Sequence, residues 1–188
     1  MNFITDFFTN TPIQEIIGQA VSIAGMIIAV ISFQFKKSSH FCIMQGISGA
    51  LFALSFFVLG APTGAILNAI NILRGYAFGA APEKTRKPFC VLLIIMYTAA
   101  SALTIDYSGS AVYIAVSILV GIAQLAGTVV MYISNGKIIR IVQNAYISPA
   151  WMVYNIYTLS IGGILCEAFN IISSFISLFR YRKTGFTK

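Results

Sequence analysis

Side chains able to act on a solute are few in this chain, and they gather in a few places. Glu167 is the most informative. It stands about six positions into the apolar run 161–180, roughly 9 Å from the end of a helix that rises 1.5 Å per residue. A carboxyl group at that depth must face a cavity, find a partner or hold its proton. Lining a pocket, it could bind hydroxyls or carry a coupling proton. Asn68 and Asn71 are three apart and share a helix face. Their amides both donate and accept, which suits a sugar hydroxyl or an amino-acid carboxylate equally. Asn170 follows Glu167 by three and joins the same group. Asn155 and Trp151, four apart, add a hydrogen bond and a stacking surface. Each of these residues also has a plainer use as interhelical glue, worth about 1 kcal/mol per hydrogen bond.

Other polar residues fall at less telling depths. Arg74 lies near the inner third of its run, and is expected to snorkel to the headgroups. Gln34, Gln45, Gln124 and Gln143 recur toward the inner halves of theirs and could form an inner gate. Covalent chemistry lacks its parts. The single histidine, His40, sits beside Lys36 and Lys37 in a loop, and there are no paired carboxylates, phosphate-cradling glycine loop or His/Cys cluster. Cys42, Cys90 and Cys166 are widely spaced and read as small packing residues. The expectation is a protein that is not an enzyme and holds no metal or cofactor.

The elements that must position these residues follow from composition. A chain that is 58% hydrophobic and 9% charged has too little polar surface to cover a soluble globule. Apolar runs occupy about 13–34, 41–59, 62–81, 88–105, 110–133, 139–158 and 161–180. Each is close to the 20 or so residues that cross a bilayer as a helix. A soluble bundle would show polar faces at helical spacing, and stretches such as 23–30 and 91–96 have none. The 12 Lys and Arg residues all fall in alternate segments between or at the ends of these runs, while Asp6, Glu15 and Asp106 mark the opposite side. That bias predicts an outside N-terminus and a cytoplasmic C-terminus. The net charge of +7 then reflects orientation and anionic lipid. No continuous basic stripe offers a nucleic-acid surface, and the first residues have no signal-peptide pattern.

The chain is also written twice. The turns 59–64 and 158–163 lead into Ala65-Ile66-Leu67-Asn68-Ala69-Ile70-Asn71 and Ile164-Leu165-Cys166-Glu167-Ala168-Phe169-Asn170. Gly64 then matches Gly163, Asn71 matches Asn170, and Asn68 falls opposite Glu167. Gln45 and Gln143 open the second run of each copy but sit one residue out of that register, so a slip is expected inside that run. With a single run between them, the copies are parallel and related by an axis along the membrane normal, as in some transporters. The predicted fold is therefore all-α: a polytopic membrane protein of seven transmembrane helices. A first three-helix repeat (1–81), a linker helix (82–109), a second three-helix repeat (110–183) and a cytoplasmic tail (184–188) divide it.

This layout, with an Asn in the third run of each half, resembles the SWEET sugar transporters and their PQ-loop relatives. That resemblance implies a central pocket opened alternately to each side. It departs at the Pro-Gln pair near the inner end of the first helix, where this chain reads Ser32-Phe33-Gln34 and Tyr132-Ile133-Ser134. Pro149 interrupts the sixth run instead, where a kink is expected. Over almost the whole chain, Leu67-Asn68-Ala69-Ile70 after Leu59-Gly60, with Ser160-Ile161-Gly162-Gly163 and Glu167, is similar to the YgjV-type bacterial inner-membrane proteins. That likeness implies a bacterial cytoplasmic (inner) membrane location. The function expected is a small-solute, sugar-like transporter or facilitator, its partners being the lipid bilayer and a small polar solute, a sugar or an amino acid. A homo-oligomer is compatible with this but not required. The alternative is a scaffold or sensor that keeps such a fold without transporting.

Overall fold

The computed structural model of the protein describes residues 12–187; Asp6 and Lys188 lie outside them. The described chain is helical: α1 (Ile13–Ser32), α2 (Ser38–Val58), α3 (Pro62–Gly79), α4 (Arg86–Thr104, after a 3₁₀ turn Glu83–Thr85), α5 (Ala111–Ile133), α6 (Gly136–Val142), α7 (Ser148–Tyr157) and α8 (Ile161–Arg180). A π-helical turn, Gln143–Ile147, joins α6 to α7 in one rod. The eight described segments thus make seven rods.

Five of those rods are long and apolar enough to cross a membrane: α1, α2, α4 with its lead-in, α5 and α8. The remaining two, α3 and the α6–α7 rod, carry Asn68, Asn71 and Arg74, and Gln143, Asn144 and Asn155. On both rods these polar side chains are buried or partly buried. The exterior is the reverse, with Leu103, Phe179 and Phe57 each at least three-quarters exposed. Ser22, Ser55 and Ser174 are fully buried, and each hydroxyl donates to a backbone carbonyl. An apolar outside around hydroxyls that bond inside is what hydrocarbon solvent demands. Ser48 and Ser55, for example, tie α2 to α1 by donating to the Gly25 and Gly18 carbonyls at 2.9 and 2.8 Å.

The rods form a closed ring. The second helix lies between its neighbours in α1–α2–α3, and the α6–α7 rod lies between α5 and α8. The two triplets meet where α3 packs on α5 and where α8 packs on α1, and α4 covers the α3–α5 seam. Glycines bring α2 and α3 together: a Cβ on Gly49 would stand 2.7 Å from Asn71 Cβ, and one on Gly75 would stand 2.7 Å from Gly46 Cα.

Two turns with the same backbone wiring precede α3 and α8. Leu59 N–H donates to Ser55, Gly60 to Phe57 and Ala61 to Phe56; in the other turn Thr158 donates to Tyr154, Leu159 to Ile156 and Ser160 to Asn155. Gly60 and Leu159 both adopt positive φ, 71° and 53°. The middle rods differ by one residue. α2 has 21 residues, whereas α6, the π turn and α7 contribute 7, 5 and 10. A π turn carries an added residue inside a continuous helix. Pro149 sits directly after it, without an N–H and with a ring that crowds the carbonyl four residues back.

The basic segments meet at one end of the ring. Lys37 in the α1–α2 loop pairs its backbone with Thr187 of the tail, and Arg86 and Lys87 share a surface depression with Ser134. Two cations counted with those segments are buried instead of lying in the loops. Arg140 is fully buried and its three nitrogens donate to Ser177 Oγ and to the carbonyls of Gly136, Phe33 and Phe35 at 2.8–3.1 Å. Its guanidinium also lies over the Phe41 and Phe186 rings. Arg74 is the second. At the opposite end, the Ser108 hydroxyl and amide hold the Asp106 carboxyl below the ordinary carboxylate range.

Candidate functional site

α3 and α8 start from matching turns, and Asn68 and Glu167 each stand six residues beyond the first residue of their helix. Both therefore lie about 9 Å down the ring axis. Tyr154 Oη accepts from the Gly64 N–H at 2.9 Å, which ties the start of α3 to the rod leading into α8. Between these helices is a cavity of about 60 Å³ at the centre of the ring. Asn68, Asn71, Glu167, Asn170, Asn155 and Trp151 all line it. The structure brings together every residue singled out for binding, from three runs spread over a hundred positions.

Their hydrogen bonds form two groups. On α3, Asn68 donates to the Gly64 carbonyl at 3.0 Å, Asn71 donates to Asn68 Oδ1 at 3.1 Å, and Tyr97 Oη of α4 donates to Asn71 Oδ1 at 2.6 Å. On α8, the Asn170 amide donates to Glu167 Oε2 at 3.4 Å and to Cys166 Sγ at 3.3 Å. The Ser148 hydroxyl also interacts with Glu167. Asn155 Oδ1 and Asn170 Oδ1 are buried and accept nothing. Trp151 packs against Tyr154 and Phe56, ring centroids 5.5 and 6.1 Å away, and with them forms an aromatic wall.

Arg74 corrects the expectation drawn from its position. It does not snorkel; it is 6% exposed and faces the cavity. Nη1 donates to Gln124 Oε1 of α5 at 2.7 Å, and the guanidinium lies 5.5 Å from the centre of the Tyr97 ring. The spacing Asn68, Asn71, Arg74 is three and three, so all three side chains leave one face of α3. A depth estimate along the chain gives no such information. Gln45 and Gln143 also line the cavity with Gln124, whereas Gln34 instead donates to Ser173 Oγ at 2.6 Å.

Tyr97 was not visible as a site residue. Membrane tyrosines concentrate at the interfaces, and this one stands in the middle of α4, fully buried. That departure was the available signal. Among the described residues no group of three His, Cys, Asp or Glu side chains could hold a metal ion. The three cysteines are free and buried.

The fold and site define a helical integral membrane protein with a polar cavity enclosed by its own ring of helices. Residues 16–185 match the family model Imp-YgjV, described as a bacterial inner membrane protein, and the chain belongs to that family. No curated protein and no solved structure matches it.

Proposed function

We propose that the protein carries a small polar solute across the bacterial inner membrane by alternating access, from a site in the central cavity. The observation that carries this reading is the cavity itself. A scaffold would fill the centre of the ring with Leu, Ile and Phe, yet here the space reaches Glu167 and is walled by amides, a carboxyl group and a guanidinium. Keeping such groups in a membrane interior is costly unless they are used.

The packing supports two parallel repeats within seven spans. The third rod of each triplet touches the first rod of the other, α3 on α5 and α8 on α1, which is the reciprocity a two-fold axis along the membrane normal requires. The transporter layout so described is one in which halves rock around a midplane site. The basic end of the ring is assigned to the cytoplasm by the Lys/Arg rule, so the first described residues lie outside. A moving part is supplied by the π turn and Pro149 in place of the Pro-Gln hinge of the SWEET type. At about 60 Å³ the cavity takes a few waters, each needing roughly 10–15 Å³ of such space. One chain contains both halves of the path.

Counterflow in proteoliposomes tests the proposal, with a panel of mono- and disaccharides and amino acids. Uptake of one class, lost in both Glu167→Ala and Asn68→Ala, is the expected result. Protein that is folded by its melting curve but moves nothing in the panel would favour a sensor or scaffold instead.

A further inference from the structure

The unmet polar groups of the cavity have a direction. At the level of α8's inner face are three acceptors: the Glu167 carboxyl and the two amide oxygens, Asn155 Oδ1 and Asn170 Oδ1, that accept nothing. Buried acceptors of this kind are normally satisfied, and together they call for a group rich in N–H or O–H donors. Six residues further along α3 from Asn68, about 9 Å nearer the basic end, the cavity is bounded by Arg74. The groups that hold this guanidinium are a glutamine oxygen and a tyrosine ring, both neutral. A guanidinium presents five N–H donors in a planar fork, and here one nitrogen is engaged by Gln124. It is a ready partner for an anionic group. One wall between the two ends is aromatic, through Trp151.

From this polarity we infer that the solute is a small zwitterion, with its ammonium group toward Glu167 and its carboxylate on Arg74. This deepens, and rests on, the carrier reading given above. A zwitterion brings each charge to an opposite one, so the loaded cavity gains no net charge in a region where an added charge is costly. A neutral sugar would satisfy the acceptors and leave the guanidinium without an anion. Shape points the same way. A space of about 60 Å³ stretched between residues six apart on one helix suits a thin chain better than a pyranose ring.

Trp151 is the one tryptophan of the chain and lines the cavity, so its fluorescence reports occupancy without transport. The full-length protein in detergent micelles would be titrated with γ-aminobutyrate, with butyrate and butylamine as its two halves, and with glucose. γ-Aminobutyrate is expected to bind about tenfold or more tightly than either half, the worth of one charge-assisted hydrogen bond. Glucose should leave the signal unmoved. In Arg74→Gln, γ-aminobutyrate should fall to the affinity of butylamine, and in Glu167→Gln to that of butyrate. Arg74→Lys, which keeps the charge, should restore part of the loss and guards against a folding defect. Glucose binding as tightly as γ-aminobutyrate, an unchanged affinity in Arg74→Gln, or no response to any zwitterion would overturn the assignment. Counterflow separates the two readings. Glucose moving without γ-aminobutyrate binding would keep the carrier and remove the zwitterion, whereas γ-aminobutyrate binding with no solute moved would keep the site and remove the carrier.

Discussion

Two regions of this protein each bury an arginine, and they use it in opposite ways. At the basic end, Arg140 is wrapped. All three of its nitrogens donate, to one hydroxyl and three carbonyls from three different parts of the chain, and two phenylalanine rings cover its faces. At the centre of the ring, Arg74 is held by one glutamine of α5 and one aromatic ring, with a cavity in front of it. A guanidinium with all three nitrogens engaged is a strut: it fixes α6 to the α1–α2 loop and to α8. One with donors to spare in a polar cavity is placed for a ligand. Burial alone, 0% against 6%, does not separate the two; hydrogen-bond satisfaction does.

Replacing both arginines by methionine is the sharpest way to break this comparison. Arg140→Met leaves three buried carbonyls without their donor and should cost about 4 kcal/mol of stability. Arg74→Met removes an interior cation with few partners and should change stability by no more than about 1 kcal/mol, while solute response at Trp151 is lost. Thermal melting of the two variants in one detergent decides it, and equal losses would erase the distinction between strut and site. Next in size is the floor of the cavity. Gly49→Ala places a methyl group against Asn71 Cβ and the Asn68 carbonyl, and should cost about 2 kcal/mol by parting α2 from α3. A neutral result in a denaturation series would mean that this contact gives way freely. Tyr97→Phe keeps the ring under Arg74 but deprives Asn71 Oδ1 of its 2.6 Å donor. The expected loss is about 1 kcal/mol, with solute affinity changed less than in Arg74→Gln; a larger fall in affinity would move Tyr97 from support to contact.

The smallest effect compares the two halves. Both turns need positive φ, which Gly60 adopts freely and Leu159 does not. Gln19 holds the second turn in place, donating to the Leu159 carbonyl at 3.2 Å and accepting from the Ile161 N–H at 3.1 Å. Leu159→Gly relieves a left-handed penalty of about 1–2 kcal/mol against an added chain entropy of about 0.5–1. The net should be a gain of about 0.5 kcal/mol, and Gly60→Leu should lose a similar amount. Melting temperatures that move together, rather than in opposite directions, would show that the two turns are not alike.

Much of the fold was legible because its causes are local. Apolar runs of membrane length and the turns at 59–64 and 158–163 can be read directly. The gathering of Asn68, Asn71, Glu167, Asn170, Asn155 and Trp151 was legible for a related reason. Polar groups deep in hydrocarbon runs have few places to go except one another's company. Tyr97 was not legible, because a tyrosine in an apolar run announces no partner. Arg74 was misjudged for the converse reason. A long cationic side chain near the end of a run can reach headgroups or turn inward, and its depth in the sequence is the same either way.

Sequence by itself determined that this chain is a helical membrane protein, roughly where its apolar runs lie, and which residues had to leave the lipid. Spacing along one helix and hydropathy along the chain carry that information without reference to any neighbour. Tertiary structure decided which arginine became a strut and which faced the cavity, and which amide oxygens were left without donors. Those outcomes depend on what another helix presents at the same depth: Gln124 and Tyr97 beside Arg74, and the carbonyls of Phe33 and Phe35 beside Arg140. No helix holds that information about its neighbours.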